Sequence, residues 1–147
     1  MSEPATARTA AVVYRSHTGR TRQFAEAIAA ELRQQGIGAE VASVGECDTA
    51  RLATVDYLLL GCWTNGLFVV LQHPDEPWLA FVHDLPPIAR ARVGLFTTYQ
   101  LLTGSMFPKM RDALAGRTPT PSLELKSRNG RLSELDRQAL ARFVAGT

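Results

Sequence analysis

Residues 12–28 read VVYRSHTGRTRQFAEAI, an apolar run that passes through a polar loop into a helical pattern. The run predicts a buried strand, and the spacing of Phe24 and Ile28 predicts one face of a helix. Between these two elements, several hydroxyl side chains surround Gly19. A loop of this composition between a strand and a helix is suited to binding an anion.

The rest of the chain continues this alternation of strands and helices. Apolar runs bounded by turn residues predict strands over 9–14, 37–44, 55–62, 92–99 and 122–127. Helical spacing predicts a helix ending near Gly36, a short helix within 47–55, and helices over Glu76–Leu85 and 105–114. Ser133 and Asp136 form a capping signal for a last helix.

Strands that alternate with helices predict a parallel sheet, because each parallel connection needs a crossover. The fold class predicted here is therefore α/β, a doubly wound five-stranded parallel sheet with helices on both faces. We expect one domain over residues 9–147, preceded by a flexible tail at residues 1–8.

Composition excludes several classes of protein. The two cysteines have no CxxC spacing and no histidine at ligand spacing, so neither a metal site nor a disulfide framework is predicted. A net charge of +2 with scattered basic residues argues against nucleic-acid binding. The uncharged run 57–74 is too short and too polar for membrane insertion. With no secretory signal pattern, we expect a cytoplasmic protein.

Ligands of doubly wound sheets bind at the carboxyl ends of the strands, which is where the opening loop lies. Ser16, Thr18 and Thr21 offer hydroxyls there, and the helix start offers free N–H groups. Neither GxxxxGK[ST] nor GxGxxG is present, which argues against a P-loop ATPase and a dinucleotide fold. The same residues would also form an ordinary turn with a helix cap.

Three segments together resemble the flavodoxin family. SHTGRT at 16–21 resembles its phosphate loop, VDYLLLGCWTNG at 55–66 its third strand and first flavin loop, and VGLFTTY at 93–99 with Gly104 its fourth strand and second flavin loop. The resemblance implies bound FMN. It implies cofactor contacts by Ser16, His17, Thr18, Gly19, Arg20, Thr21, Cys62, Trp63, Thr64, Asn65, Gly66, Leu67, Thr97, Thr98, Tyr99 and Gly104.

Two aromatic residues follow adjacent predicted strands and could form walls for a flavin ring. Tyr99 matches the stacking tyrosine of the family, the alternative being a half-buried core aromatic. Trp63 stands two positions before the family's usual tryptophan, so it either packs on the flavin or shields the top edge of the sheet. Asn65-Gly66 matches the peptide that turns toward the flavin in the family, or forms a plain turn.

The resemblance implies an electron carrier that shuttles single electrons between redox partner proteins, a reductase donor and an acceptor enzyme. No catalytic residue is assigned, because a one-electron shuttle needs no acid–base group. One alternative is an FMN-dependent oxidoreductase acting on a quinone- or porphyrin-like substrate. The other is a flavin-free interaction module on the same fold.

Overall fold

A computed structural model describes residues 7–64, 72–100 and 103–146. The strands are β1 (Thr9–Arg15), β2 (Gly38–Ser43), β3 (Tyr57–Trp63), β4 (Arg92–Thr98) and β5 (Leu123–Ser127). The α-helices are α1 (Arg20–Gln34), α2 (Glu76–His83), α3 (Met106–Leu114) and α4 (Glu134–Ala145). Of the predicted site residues, Asn65, Gly66 and Leu67 lie outside the described residues.

The predicted fold class is confirmed. The sheet has five parallel strands in the order β2-β1-β3-β4-β5. One hydrophobic cluster joins the sheet to α1 and α4, and a second joins it to α2 and α3, so helices cover both faces. All strands run the same way, and their carboxyl ends therefore meet at one edge.

Two predicted helices differ from the observed ones. The short helix expected within 47–55 is a 3-10 helix over Thr49–Ala53, capped by the Asp48 carboxylate, which accepts from the N–H of Ala50. A helix of about one turn forms few i→i+4 hydrogen bonds, and helical segments this short commonly adopt the 3-10 pattern instead. Helix α2 stops at His83 rather than Leu85, two residues earlier than the prolines alone predict.

Strands β3 and β4 approach closely at one glycine. Gly61 is the register partner of Phe96, and a Cβ at position 61 would overlap the Phe96 ring. That ring packs edge-on against Phe24 of α1, with 5.9 Å between ring centroids. A side chain at 61 would therefore displace the contact that joins α1 to the middle of the sheet.

Arg8, which precedes β1, is hydrogen-bonded to two other elements of the fold. Arg8 Nη1 donates to the hydroxyl of Tyr57 at 2.7 Å and to the carbonyl of Val144 at 3.0 Å. These bonds attach Arg8 to β3 and to the end of α4. Among the described residues, no helix is long and apolar enough to cross a membrane.

Candidate functional site

Three loops leave the sheet side by side at its carboxyl edge. They follow β1, β3 and β4, and the register pairs Arg15 with Cys62 and Trp63 with Thr98. Tyr99 comes directly after the register partner of Trp63. Tyr99 follows β4 as the sequence predicts, whereas Trp63 is the last residue of β3 and does not lie beyond it. The register still places the two residues at the same edge of the sheet.

Helix α1 begins in this edge without a side-chain cap. Its N-cap is Gly19, with φ +94°, and no carboxylate stands in its first turn. The first intrahelical bond runs from the N–H of Gln23 to the carbonyl of Gly19 at 3.0 Å. The N–H groups of Arg20, Thr21 and Arg22 therefore have no acceptor within the helix.

The loop before α1 is closed by one internal hydrogen bond. The Ser16 hydroxyl accepts from the N–H of Gly19 at 2.9 Å, which leaves its own proton for another acceptor. Thr18 is exposed in the same loop. Hydroxyls and backbone N–H groups thus surround the start of the helix, where the helix dipole favours negative charge.

Two pairs of threonine hydroxyls form contacts between neighbouring elements at this edge. Thr21 Oγ1 lies 2.6 Å from Thr98 Oγ1, and both side chains are buried. Thr64 Oγ1 lies 2.8 Å from Thr97 Oγ1, which also donates to the carbonyl of Cys62 at 2.6 Å. The first pair connects the start of α1 to the end of β4.

A buried carboxylate joins the other side of the edge. Asp75 accepts from Trp63 Nε1 at 2.7 Å and from Arg15 Nε at 2.8 Å. It also caps α2 by accepting from the N–H of Trp78 at 3.2 Å. One side chain thereby links the ends of β1 and β3 to the start of α2.

The His17 ring stacks on the indole of Trp63, whose N–H is hydrogen-bonded to Asp75. The His17 and Trp63 ring centroids are 4.5 Å apart and their planes differ by 22°, which is a stacked pair. The loop after β1 therefore packs on the last residue of β3 through aromatic contact. Trp63 is half-buried between the histidine and the carboxylate.

Cys62 and Thr97 are placed beneath the site rather than on its surface. Both side chains have no exposed area, because their positions on β3 and β4 point into the core. The Cys62 thiol faces Asp75 Oδ1 at 3.7 Å. Burial, together with the nearby Asp75 charge, raises the pKa of the Cys62 thiol far above its usual range.

Tyr99 and Gly104 lie beyond the end of β4. The backbone N–H of Tyr99 bonds to the carbonyl of Ser127 at 3.2 Å, which attaches this loop to β5. The Tyr99 ring has Lys126 Nζ 5.9 Å from its centroid. Gly104 has φ +49° and stands in the turn that leads into α3.

Sequence reasoning missed Arg15 and Asp75, which form an ion pair at this edge. They are 60 residues apart in the chain, and their meeting depends on β1 and α2 being brought together by the sheet. A signal was present in the sequence, since Asp75 precedes Glu76-Pro77 at the start of a predicted helix. That pattern marks a helix cap.

The strand order of the sheet and the loops at its carboxyl edge are those of a known protein family. The family model for flavodoxin matches residues 12–116, and the chain belongs to the flavodoxin family. Members of this family bind FMN, so FMN is the cofactor of the family to which the chain belongs. The five-stranded parallel sheet agrees with the fold of the flavodoxin structures that it resembles.

Individual relatives agree with this assignment. A flavodoxin of Clostridium beijerinckii is 31% identical over 88 residues, which span 60% of this chain and 62% of that protein. The two-electron reduced flavodoxin of Megasphaera elsdenii superimposes with a TM-score of 0.73 at 20% identity, covering 94% and 99% of the two chains. Oxidised flavodoxin 2 of Bacillus cereus gives 0.73 at 18%, covering 96% and 100%.

The described residues fit the phosphate end of FMN. A phosphate monoester needs several hydrogen-bond donors and a positive potential. The uncapped start of α1 provides both, and Gly19 leaves the approach open, since a Cβ there would meet no atom within 4 Å.

Proposed function

We propose that this protein is a cytoplasmic electron carrier that binds FMN and passes single electrons between redox partner proteins. A reductase would supply the electrons and an acceptor enzyme would take them. When bound, FMN supplies the redox chemistry. The chain itself binds the cofactor, orients it and excludes water from it.

Phosphate capture is assigned to the loop between β1 and α1. The N–H groups of Arg20, Thr21 and Arg22 would donate to the phosphate oxygens, with added donors from Ser16 and Thr18. The Thr21–Thr98 contact contains two hydroxyls, and one proton of the pair remains available to an outside acceptor. This needs no lysine, because the helix start carries the positive potential.

Orientation of the ring system is assigned to Trp63 and Tyr99. Trp63 is fixed by Asp75 on one side and His17 on the other, so its indole has little freedom to move. Tyr99 is tied through its backbone to β5. A rigid aromatic wall costs little ordering on binding, which favours tight retention of a flavin.

The observation that carries the proposal is the uncapped start of α1 beside the buried Thr21–Thr98 pair. The two hydroxyls bond to each other, and they stand beside a helix end whose first N–H groups lack acceptors within the helix. In a protein without a ligand, a capping side chain at position 19 would satisfy these groups more simply.

The test is stepwise anaerobic reduction of the FMN-loaded protein with a one-electron reductant. A carrier should show two separated one-electron steps and rapid exchange with one-electron mediators. It should reduce quinones or porphyrins only slowly in the absence of a partner. Multiple turnovers of such a substrate by the protein alone would instead identify an enzyme, and failure to bind FMN would identify a flavin-free module.

A further inference from the structure

Four exposed basic side chains border the candidate site on its β5 side. They are Arg20 at the start of α1, Lys126 in β5, and Arg128 and Arg131 in the loop after β5. This loop packs against α1, since a Cβ at Gly130 would lie 3.1 Å from the carbonyl of Arg20. We call these four residues the basic surface.

The loop that carries Arg128 and Arg131 is held by bonds from its backbone N–H groups to the side chains of Ser127 and Asn129. Ser127 Oγ accepts from the N–H of Gly130 at 3.0 Å and from that of Arg131 at 3.1 Å. Asn129 Oδ1 also accepts from the N–H of Arg131 at 3.0 Å. The arginine side chains take no part in this network, so the conformation of the loop does not depend on them and their charged groups remain exposed.

The basic surface lacks compensating carboxylates. Elsewhere, ion pairs form between Arg22 and Glu26, Arg51 and Glu40, Arg90 and Asp56, Arg111 and Glu124, and Arg137 and Glu31. Within the described ranges, no carboxylate lies within 4.0 Å of the four side chains of the basic surface. The nearby carboxylates of α4 are engaged: Glu134 pairs with Arg137, and Asp136 completes the cap at Ser133.

We infer that the basic surface docks an acidic protein that exchanges electrons with the bound cofactor, an inference that rests on the proposed function. A bound phosphate monoester carries about −2 charge and offsets roughly half of the four positive charges. About two positive charges then remain uncompensated beside the site. Because such charges act over roughly 10 Å at moderate salt, they steer an approaching partner toward the cofactor.

The charge distribution favours an acidic protein over a nucleic acid. The carboxylates Glu46 and Asp48 follow β2 at the far side of the same edge, and Glu76 opens α2. A duplex with a charge every ~1.7 Å along its axis would meet this acidic side as well. A compact acidic patch can instead cover the basic surface alone, and the opposite charges beyond it set the orientation of docking.

The kinetic test uses two small oxidants of opposite charge on the photoreduced, FMN-loaded protein. Hexacyanoferrate(III) is an anion and tris(phenanthroline)cobalt(III) is a cation, and each takes one electron and is reduced to the divalent metal. We expect the rate with hexacyanoferrate to fall as NaCl is added and the rate with the cobalt complex to rise.

Matched double variants separate local charge from net charge. R128Q/R131Q should slow hexacyanoferrate about 3- to 10-fold at low salt, since two charges near the site are lost. R90Q/R142Q removes the same charge at the opposite edge of the sheet and should change the rate less than about twofold. Equal effects of the two variants would overturn the inference. So would salt dependences of the reverse sign, with the hexacyanoferrate rate rising and the cobalt rate falling as NaCl is added.

A second measurement does not depend on the cofactor. Fluorescently labelled poly-L-glutamate should bind the chain, weaken several-fold with R128Q/R131Q and be unaffected by R90Q/R142Q. Tighter binding of a labelled DNA duplex of the same charge would contradict an acidic protein partner. A chain that bound poly-L-glutamate in this way but refused FMN would contradict the proposed carrier and leave the basic surface supported.

Discussion

The indole N–H of Trp63 donates to Oδ2 of Asp75 at 2.7 Å, and this carboxylate is only 7% exposed. The same carboxylate accepts a hydrogen bond from Arg15 Nε, and it caps α2 by accepting from the N–H of Trp78. The edge of the sheet where the cofactor site lies is therefore organised around one buried negative charge. Its partners come from two strands and one helix.

Asp75→Ala should lower the free energy of unfolding by about 2–4 kcal/mol, since it removes a helix cap and the acceptor of Trp63 and Arg15. Urea denaturation followed by far-UV circular dichroism measures this change. Trp63 should also become more mobile, with a lower fluorescence anisotropy. Asp112→Ala, at an exposed position in α3, is the control and should change stability by less than about 0.5 kcal/mol.

The variant Asp75→Asn separates the contribution of the hydrogen bonds of Asp75 to stability from the contribution of its negative charge. The amide oxygen of asparagine keeps an acceptor for Trp63, while the attraction to Arg15 is lost. We expect a stability between those of the wild type and the alanine variant. An asparagine variant as unstable as alanine would show that the charge, and not the hydrogen bonds, supports this edge.

Thr21→Val should destabilise the protein by about 1–2 kcal/mol, because the buried hydroxyl of Thr98 loses its partner. The double variant T21V/T98V should cost less than the sum of the two single variants, since no hydroxyl is then left unpaired. A double-mutant cycle by urea denaturation measures the coupling. Strict additivity would contradict a direct bond between the two hydroxyls.

Gly61→Ala should destabilise the protein by about 3 kcal/mol or more, because the new methyl group would overlap the Phe96 ring. The matched control is Gly38→Ala in β2, where the nearest atom to an added Cβ is the carbonyl oxygen of Arg8 at 3.8 Å. Thermal unfolding of both variants makes the comparison. Similar melting temperatures would show that β3 and β4 do not approach as closely as described.

The two thiols should react differently with a thiol reagent such as Ellman's reagent. Cys47 is half-buried, and burial raises its pKa, so it should react slowly in the native protein. Cys62 is fully buried with a strongly raised pKa and should react only upon unfolding. Cys47→Ser supplies the control that isolates Cys62.

Alkaline pH should lower the free energy of unfolding through the ionisation of Cys62. The native Cys62 thiol stays protonated, whereas the unfolded thiol ionises above about pH 8.5. A group whose pKa is raised by folding contributes stability below the unfolded pKa and loses it as pH rises. Cys62→Ala should therefore show a shallower loss of stability between neutral and alkaline pH than the wild type.

The architecture was predictable because it depends on local patterns. Each strand is a short apolar run, and each run is bounded by turn residues, so all the strands of the sheet were predicted within about three residues of their observed ends. The cap at Ser133 was predicted for the same reason, since Asp136 stands three residues later and completes it.

The interior of the site was not predictable in this way. The pairs Thr21–Thr98 and Trp63–Asp75 join residues that only the crossovers of the sheet bring together. The sequence predicted that Thr21 and Trp63 lie near a ligand, but not that each has a specific partner. A polar contact between residues far apart in the chain needs only one residue on each side. It therefore leaves no periodic pattern in the sequence from which the contact could be predicted.

The most direct test of the central claim compares FMN with riboflavin, which lacks the phosphate. Fluorescence quenching on titration should show FMN binding about 100-fold or more tightly than riboflavin, since charge-assisted bonds to the start of α1 are available only to FMN. Gly19→Ala, at φ +94°, should reduce this preference, and Gly45→Ala should leave it unchanged. Equal affinity for the two flavins, or binding of neither, would contradict a phosphate site at the start of α1.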